Sequence, residues 1–315
     1  ANNTYHDTLS LHDALPIYQN KTSHQSLDYI VERKHLNMVK IAVLSDVHGN
    51  ATALEAVLAD AQKQHVDEYW TVGDMTVRGP ESERCLTLLD RVHPTAYVLG
   101  NHEENYQKVM AANPNTFTKP KQIMATVLTA FDRRQLSSTH FERLLNLPMT
   151  VIKHVGPLTI RLQHVLPTVA SGHALAPTAS QANFDQAAEG DVDIVIYAHT
   201  HQPIMRYATT GQLILNAGTV GLPTAINPHL RQPRANYLLL TIDETGLQHI
   251  DYRAVDFDWQ RAITIAQNTH LPYFEFYEQT LRTNTYQYAP SAVAAYNTQH
   301  DMAREARKIL LENRH

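Results

Sequence analysis

The sequence predicts an α/β protein in which two facing mixed β-sheets are flanked by helices. Three observations carry that expectation. From Val39 to Leu99, apolar strand-like runs alternate with amphipathic helical runs. From Met149 the texture changes to short strands separated by glycine turns. Polar clusters sit at the ends of several of these strands, where packing does not call for them. A βαβ half followed by a strand-rich half implies two sheets enclosing one core, with helices outside.

Each element has a local reason. Val39–Ser45 is β-rich and almost wholly apolar, as expected of a strand covered on both faces. Asn50–Gln64 carries Leu54, Val57, Leu58 and Ala61 at helical spacing, with Asn50 as N-cap. Glu68–Val72 reads as a second strand, Glu81–Val92 as a second helix and Thr95–Leu99 as a third strand. Such a βαβαβ run makes a parallel sheet through right-handed crossovers. Residues 103–147 read as mainly helical, punctuated by Pro114 and Pro120 and closed by Pro148. Strands are then expected at 149–154, 158–164, 193–198, 204–207, 213–216, 234–242 and 247–254, with Gly156, Gly211 and Gly246 at hairpin turns. After Val255 come two helical stretches around a Tyr/Phe-rich segment, Leu271–Tyr288, whose aromatic stripe reads as packing for a terminal helix rather than as a lid or stacking surface. The domain expected over 38–255 is therefore followed by a helical extension, 256–315. Residues 1–37 show no sustained periodicity, and Thr8–Ile17 resembles translated sequencing-adapter DNA, so a non-native or disordered leader with a natural start at Met38 is expected.

Composition narrows the function. The 315 residues hold 26 Lys+Arg against 31 Asp+Glu, a net charge of −5 spread along the chain, which argues against a nucleic-acid groove or an anionic-membrane patch. A single cysteine, Cys85, excludes internal disulfides and Cys-rich zinc sites. No apolar run reaches the roughly 18 residues of a membrane span, and no secretory signal is legible, so a cytoplasmic protein is expected. The 19 histidines are the unusual count. Histidine binds metals, moves protons or decorates a surface, and position has to decide which.

Position points to the strand ends. The first strand ends in Ser45-Asp46-Val47-His48-Gly49-Asn50, the second in Gly73-Asp74 and the third in Gly100-Asn101-His102-Glu103. Asp46, Asp74 and Asn101 lie 28 and 27 residues apart, one βα unit each. They therefore converge at the carboxyl edge of adjacent strands, where open α/β sheets bind ligands. The later strands add Gln163-His164 and His199-Thr200-His201. Two carboxylates, four imidazoles and an amide oxygen suit manganese, iron or zinc better than magnesium, which prefers oxygen, or structural zinc, which prefers thiolate. Asp74 is placed to bridge two metals. Such a pair, roughly 3.5–4 Å apart, lowers the pKa of a bridging water and clamps a phosphoryl group.

The series Asp46-x-His48, Gly73-Asp74, Gly100-Asn101-His102-Glu103, His164 and Ala198-His199-Thr200-His201 resembles the calcineurin-like metallophosphoesterase superfamily over Val39 to about Ala254. The resemblance implies a four-layer sandwich and a dinuclear site holding two metal ions per chain, Mn and/or Fe, with Zn or Ni acceptable. Asp46, His48, Asp74 and His201 would hold the first metal; Asp74, Asn101, His164 and His199 would hold the second. A metal-bridged hydroxide would attack phosphorus, and His102, not itself a ligand, would protonate the leaving oxygen or stabilise the phosphoryl oxygens. Val165 replaces the glycine usual after the third-motif histidine, and Ala198 the glycine usual before His199. His173 and His154 are rivals to His164. Gly73-Asp74-Met75-Thr76-Val77-Arg78-Gly79 resembles the run in protein serine/threonine phosphatases whose arginine grips phosphate, which makes Arg78 a substrate-binding candidate. Leu99, where those phosphatases carry arginine, weighs against that activity. Glu103 reads as a helix cap. Asn216-Ala217-Gly218-Thr219-Val220-Gly221 resembles a family loop near the site, though its glycines equally suit a turn. The tail and His164-x-Leu166-Pro167 resemble a lactobacillal and streptococcal subgroup linked to dinucleoside-polyphosphate hydrolysis. The expected activity is hydrolysis of small-molecule or nucleotide phosphoesters. The alternatives are a protein phosphatase and a non-catalytic scaffold of the same fold.

Overall fold

The computed structural model describes residues 38–230 and 232–312, so the reading of residues 1–37 as a leader lies outside the described residues. The first half runs β1 (Val39–Leu44), α1 (Ala51–Lys63), β2 (Glu68–Thr71), α2 (Ser82–Val92), β3 (Ala96–Tyr97), then α3 (Asn101–Met110), α4 (Pro120–Arg133) and α5 (Ser138–Leu145). The second half contains β4 (Thr150–Val155), β5 (Leu158–Gln163), α6 (Gln181–Ala187), β6 (Ile194–Tyr197), β7 (Ile204–Tyr207), β8 (Leu213–Asn216), β9 (Ala235–Asp243) and β10 (Gly246–Val255). Helices α7 (Trp259–Asn268), α8 (Phe274–Thr283), α9 (Pro290–Gln299) and α10 (Met302–Glu312) close the chain.

Both sheets are mixed and five-stranded, in the orders β10-β9-β1-β2-β3 and β4-β5-β6-β8-β7. In the first, β1, β2 and β3 are parallel, as the βαβαβ reading requires, and β9 returns antiparallel beside β1. In the second, β5, β6 and β8 are parallel and the antiparallel β4 and β7 form the edges. Register does the positioning. Leu44 faces Thr71, Thr71 faces Tyr97, and in the other sheet Leu162 faces Ile196 and Ile196 faces Leu215. The strand ends of each sheet are thus level, and the loops after them form one rim.

Alternation along β1 explains its unbroken apolar run. Ile41 and Val43 enter the core between the sheets with Trp70, Ile160, Leu162, Ile196 and Leu215. Ala42 and Leu44 face the other way, into a helical layer with Leu54, Val57 and Leu86. Full burial of each such side chain contributes about 1.5–3 kcal/mol. Asn50 caps α1, its Oδ1 accepting from the Ala53 amide at 3.1 Å. Phe184 and Ala187 of α6 cover the outer face of the second sheet with Val195, Tyr197 and Ile214. Helix, sheet, sheet and helix make the four layers expected.

Three details differ from expectation. Strand β3 has two residues because pairing with β2 stops at Val98, whose amide still donates to the Thr71 carbonyl at 3.1 Å, while the Leu99 amide turns away to the Pro148 carbonyl at 2.8 Å. The seven-residue α6 was not predicted; it is too short for periodicity to register. The tail holds four helices rather than two stretches, since the Tyr/Phe segment is itself largely α8. Tyr273, Tyr277 and Leu281 stand four residues apart and are buried on one face in the helical layer. That aromatic stripe is packing, as read. Helix α7 packs on α1, and α9 and α10 pack on α4.

Candidate metal centre

The loops at the strand ends turn sharply. Asp46, His48, Asp74, His199 and His201 all take left-handed backbone angles, with φ from 50° to 68°. Non-glycine residues there store roughly 1–3 kcal/mol each, and the surrounding structure has to hold them. Here it does so through the backbone. The Asp46 amide donates to the Gly73 carbonyl, the His48 amide to the Asp74 carbonyl and the Gly49 amide to the Met75 carbonyl, lacing the first two loops together. From the far side, the Gly221 amide and the Thr219 hydroxyl donate to the Asp46 carbonyl. A Cβ on Gly221 would stand 1.7 Å from the Val47 carbonyl oxygen, so only glycine fits. The 216–221 loop therefore clamps the Asp46 turn, beyond serving its own.

The side chains these loops present converge, all buried but His199, which is half-buried. His201 Nε2 lies 3.3 Å from Asp46 Oδ1 and 3.1 Å from His48 Nε2. His48 Nε2 is 3.8 Å from Asp46 Oδ1 and 3.9 Å from Asp74 Oδ2. Asp74 Oδ2 also meets His164 Nε2 at 3.2 Å. Among the described residues, three groups have ligand atoms within 4.8 Å of one another: Asp46, His48 and His201; Asp74, His164 and His199; and His48, Asp74 and His102. The first two each draw three residues from the two ligand sets that the resemblance implied, and Asp74 belongs to the second group and the third. The third brings His102 against the same edge, its ring T-shaped to His48 at 5.0 Å.

The donor set fits metal ions. His164 Nδ1 is hydrogen-bonded to the Val72 carbonyl at 2.7 Å and His201 Nδ1 to the Leu222 carbonyl at 2.9 Å. Each carbonyl accepts from Nδ1–H and turns Nε2 toward the centre, the usual outer support of a metal-binding histidine. Among the described residues Asp46 Oδ1 is buried without a hydrogen-bond partner. One terminal atom of the Asn101 carboxamide lies 2.7 Å from His199 Nδ1 and 3.3 Å from Asp74 Oδ2. As oxygen it adds another acceptor to a convergence that a cation would satisfy; as nitrogen it would donate to both. Electrostatics agree. Burial pushes His164 down, but the Asp74 carboxylate overrides it and raises the imidazole to about 10. Asp74 is held well below its ordinary value against burial, chiefly by His164. Burial lowers both His48 and His102. Asp74 thus favours positive charge at His164, whereas burial disfavours it at His48 and His102.

Glu103 does more than the sequence suggested. It caps α3, Oε2 accepting from the Gly100 amide at 3.1 Å. The same oxygen takes the Asp74 amide at 2.8 Å, and Oε1 takes the Thr76 amide and hydroxyl at 3.1 and 2.9 Å. It thus fixes the Asp74 loop, and burial, with Asp74 adding, raises its carboxyl to about 7. Nothing in local sequence separates this from an ordinary cap. Of the rivals to His164, His173 is exposed at the mouth of the cavity and His154 is exposed on the edge strand β4. Arg78 reaches the site. It lines a cavity of about 300 Å3 with His48, Asp74, Asn101, His102 and Tyr286. Lys121 and Tyr286, beside Arg78, were missed, because helix α4 and the tail have no motif tying them to the strand ends.

A sandwich of two mixed sheets with an Asp/His/Asn cluster at one rim is an arrangement that fits a hydrolase of phosphoesters. Residues 39–245 match the calcineurin-like phosphoesterase superfamily domain, and the chain belongs to that family. It is 25% identical over 248 residues to an uncharacterized protein of Methanocaldococcus jannaschii, covering 75% of this chain and 96% of that one. It is 33% identical over 96 residues to a symmetrical bis(5'-nucleosyl)-tetraphosphatase of Pectobacterium carotovorum, a match spanning 30% of this chain and 34% of that protein. The fold is shared with a metallophosphoesterase of Sphaerobacter thermophilus (24% identity, TM-score 0.59, 79% of this chain and 100% of the other). A hypothetical protein of Pyrococcus horikoshii shares it too (17% identity, TM-score 0.65, 79% and 99%). Among the described residues no helix is long and apolar enough to cross a membrane.

Proposed function

We propose that the chain hydrolyses phosphate esters or anhydrides of small molecules at a two-metal centre, with nucleotides, dinucleoside polyphosphates among them, as the substrate class. Convergence of buried acceptors on one point, Asp74 Oδ2, carries this reading. Asp46, His48, Asp74 and His201 would hold one ion, and Asp74, Asn101, His164 and His199 the other. Bound there, the ions would supply Lewis acidity toward phosphoryl oxygens and acidify a water. Manganese and iron suit this mixed nitrogen and oxygen set, with zinc or nickel as substitutes.

The remaining work falls to the chain's own groups. His102 is held at the rim by its backbone, its amide donating to Asp74 Oδ1 at 2.8 Å, while its Nδ1 is buried with no hydrogen-bond partner among the described residues. Its imidazole lines the cavity and would donate to a phosphoryl or leaving-group oxygen, a contribution of about 10²–10⁴ in rate when well placed. Arg78 presents a planar guanidinium suited to two phosphate oxygens. The tetraphosphatase relatives support the nucleotide class.

The test is turnover by metal-quantified protein loaded in turn with manganese, iron, nickel or zinc. The panel is p-nitrophenyl phosphate, its bis ester, cyclic nucleotides and diadenosine tetraphosphate. Turnover that scales with two bound metals per chain is expected. Two bound metals with no turnover of any panel member would sink the proposal.

A further inference from the structure

Two cations stand beside the metal centre with no acidic partner. Among the described residues no ion pair joins Arg78 or Lys121 to a carboxylate, and Arg78 Nε is buried without a hydrogen-bond partner. The contacts of Lys121 are neutral: Nζ donates to the Tyr286 hydroxyl at 3.1 Å and to the Tyr288 carbonyl. Arg78 lies over the Tyr288 ring, 4.5 Å from its centroid, and Lys121 lies 5.5 Å from that of Tyr286. The segment between α8 and α9 thus holds both cations in place. Arg78 itself has a left-handed backbone (φ 79°), as does Val77 (φ 65°), a conformation that needs a structural reason. Burial lowers the Lys121 ammonium, and Arg78 nearby adds to that push. Two like charges drawn together and partly desolvated are costly unless an anion joins them.

Their place in the cavity says which anion. Arg78, Asn101 and His102 line the 300 Å3 cavity over the metal centre and also a second cavity of about 420 Å3 between α3 and α4. Lys121 lines the second, whose wall includes Phe117, Met124 and Leu128. Passing outward from Asp74, a substrate would meet His102, then the Arg78–Lys121 pair, then an apolar wall. A single phosphate seated at the centre shares its cavity with Arg78 but leaves Lys121, which lines only the second cavity, unused. We propose that Arg78 and Lys121, held by Tyr286 and Tyr288, form a subsite for a second phosphate linked to the one at the metal centre, with the organic group beyond it against α3 and α4. Substrates with at least two linked phosphates and an apolar or aromatic end, such as nucleoside polyphosphates, are then favoured over monophosphates. The inference rests on the reading that the centre holds the reacting phosphoryl group.

Binding calorimetry on the metal-loaded protein, with AMP and ADP at fixed free metal, tests it. Wild type is expected to bind ADP about tenfold or more tightly than AMP, the size of one good charge-assisted phosphate contact. Lys121→Met should bring the two within about twofold, whereas Lys121→Arg keeps most of the preference. Should the methionine variant fail to unfold cooperatively at the wild-type temperature, Lys121→Gln takes its place. Equal affinities in wild type, or a preference that survives loss of the ammonium, overturn the subsite. The same preparation is assayed on p-nitrophenyl phosphate. Absence of turnover alongside an intact ADP preference removes the hydrolytic reading and leaves the subsite. Turnover without that preference does the reverse.

Discussion

The metal centre and the rim formed by Arg78, Lys121 and Tyr286 are neighbours built on different principles. The centre comes from loops at level strand ends, is almost wholly buried, and is held by backbone hydrogen bonds from both sheets. The rim joins a strained loop, the first turn of α4 and an exposed tyrosine of the C-terminal segment, 54% accessible, through side-chain contacts. Chemistry that must be fixed to fractions of an ångström sits on the rigid sheet edges. The proposed selectivity would rest on helices and loops, where substitutions disturb the sheets least.

The largest effect expected at the centre is that of Asp74→Asn. With the shared ligand weakened, metal analysis should show both ions lost together and turnover down by about 10³-fold or more. Selective loss of one ion would break the bridge. His102→Ala should cut turnover by about 10²–10³ while metal content stays near two per chain, which separates a group acting on substrate from a ligand. Loss of metal in that variant would make His102 part of the third cluster, a ligand after all.

Support beneath the centre should register as stability. Glu103→Ala strands the Gly100, Asp74 and Thr76 amides and the Thr76 hydroxyl, at a cost of about 3 kcal/mol or more in denaturant unfolding. A smaller effect is expected from Asp132, buried beneath Thr76 through the Tyr106 hydroxyl, which contacts both. Burial raises its carboxyl from 3.8 to about 6. A raised folded value means that Asp132 stabilises the fold when protonated. That contribution is complete below about pH 4 and is lost as pH rises through about 6. Asp132→Asn should flatten the loss, about 2–2.5 kcal/mol, between pH 4 and 7 in thermal unfolding. An unchanged slope would place the titration elsewhere.

The strand ends were legible because a parallel strand–helix unit has a nearly fixed length. Asp46, Asp74 and Asn101 could be aligned by counting, and His164, His199 and His201 followed from strands read by their apolar runs. His164 was separable from His154 and His173 by the strength of the strand before it, and the structure puts His164 alone of the three against Asp74. The tail was read less well. Tyr273, Tyr277 and Leu281 carry helical spacing, but aromatic residues have no strong helix propensity, so four helices passed for two stretches.

By itself, then, the sequence determined the order of elements, the sheet on which each cluster lies and the donor types at the rim, since all of these follow from local periodicity and side-chain chemistry. Only the tertiary structure decided that Glu103 braces the Asp74 loop, that Gly221 locks the Asp46 turn, and that Tyr286 and Tyr288 meet Arg78 and Lys121. Those contacts join residues that share no element and no motif, 167 positions apart for Lys121 and Tyr288. Their proximity is set by how α4 and the C-terminal helices pack on the first sheet, a property of summed burial that no local pattern encodes.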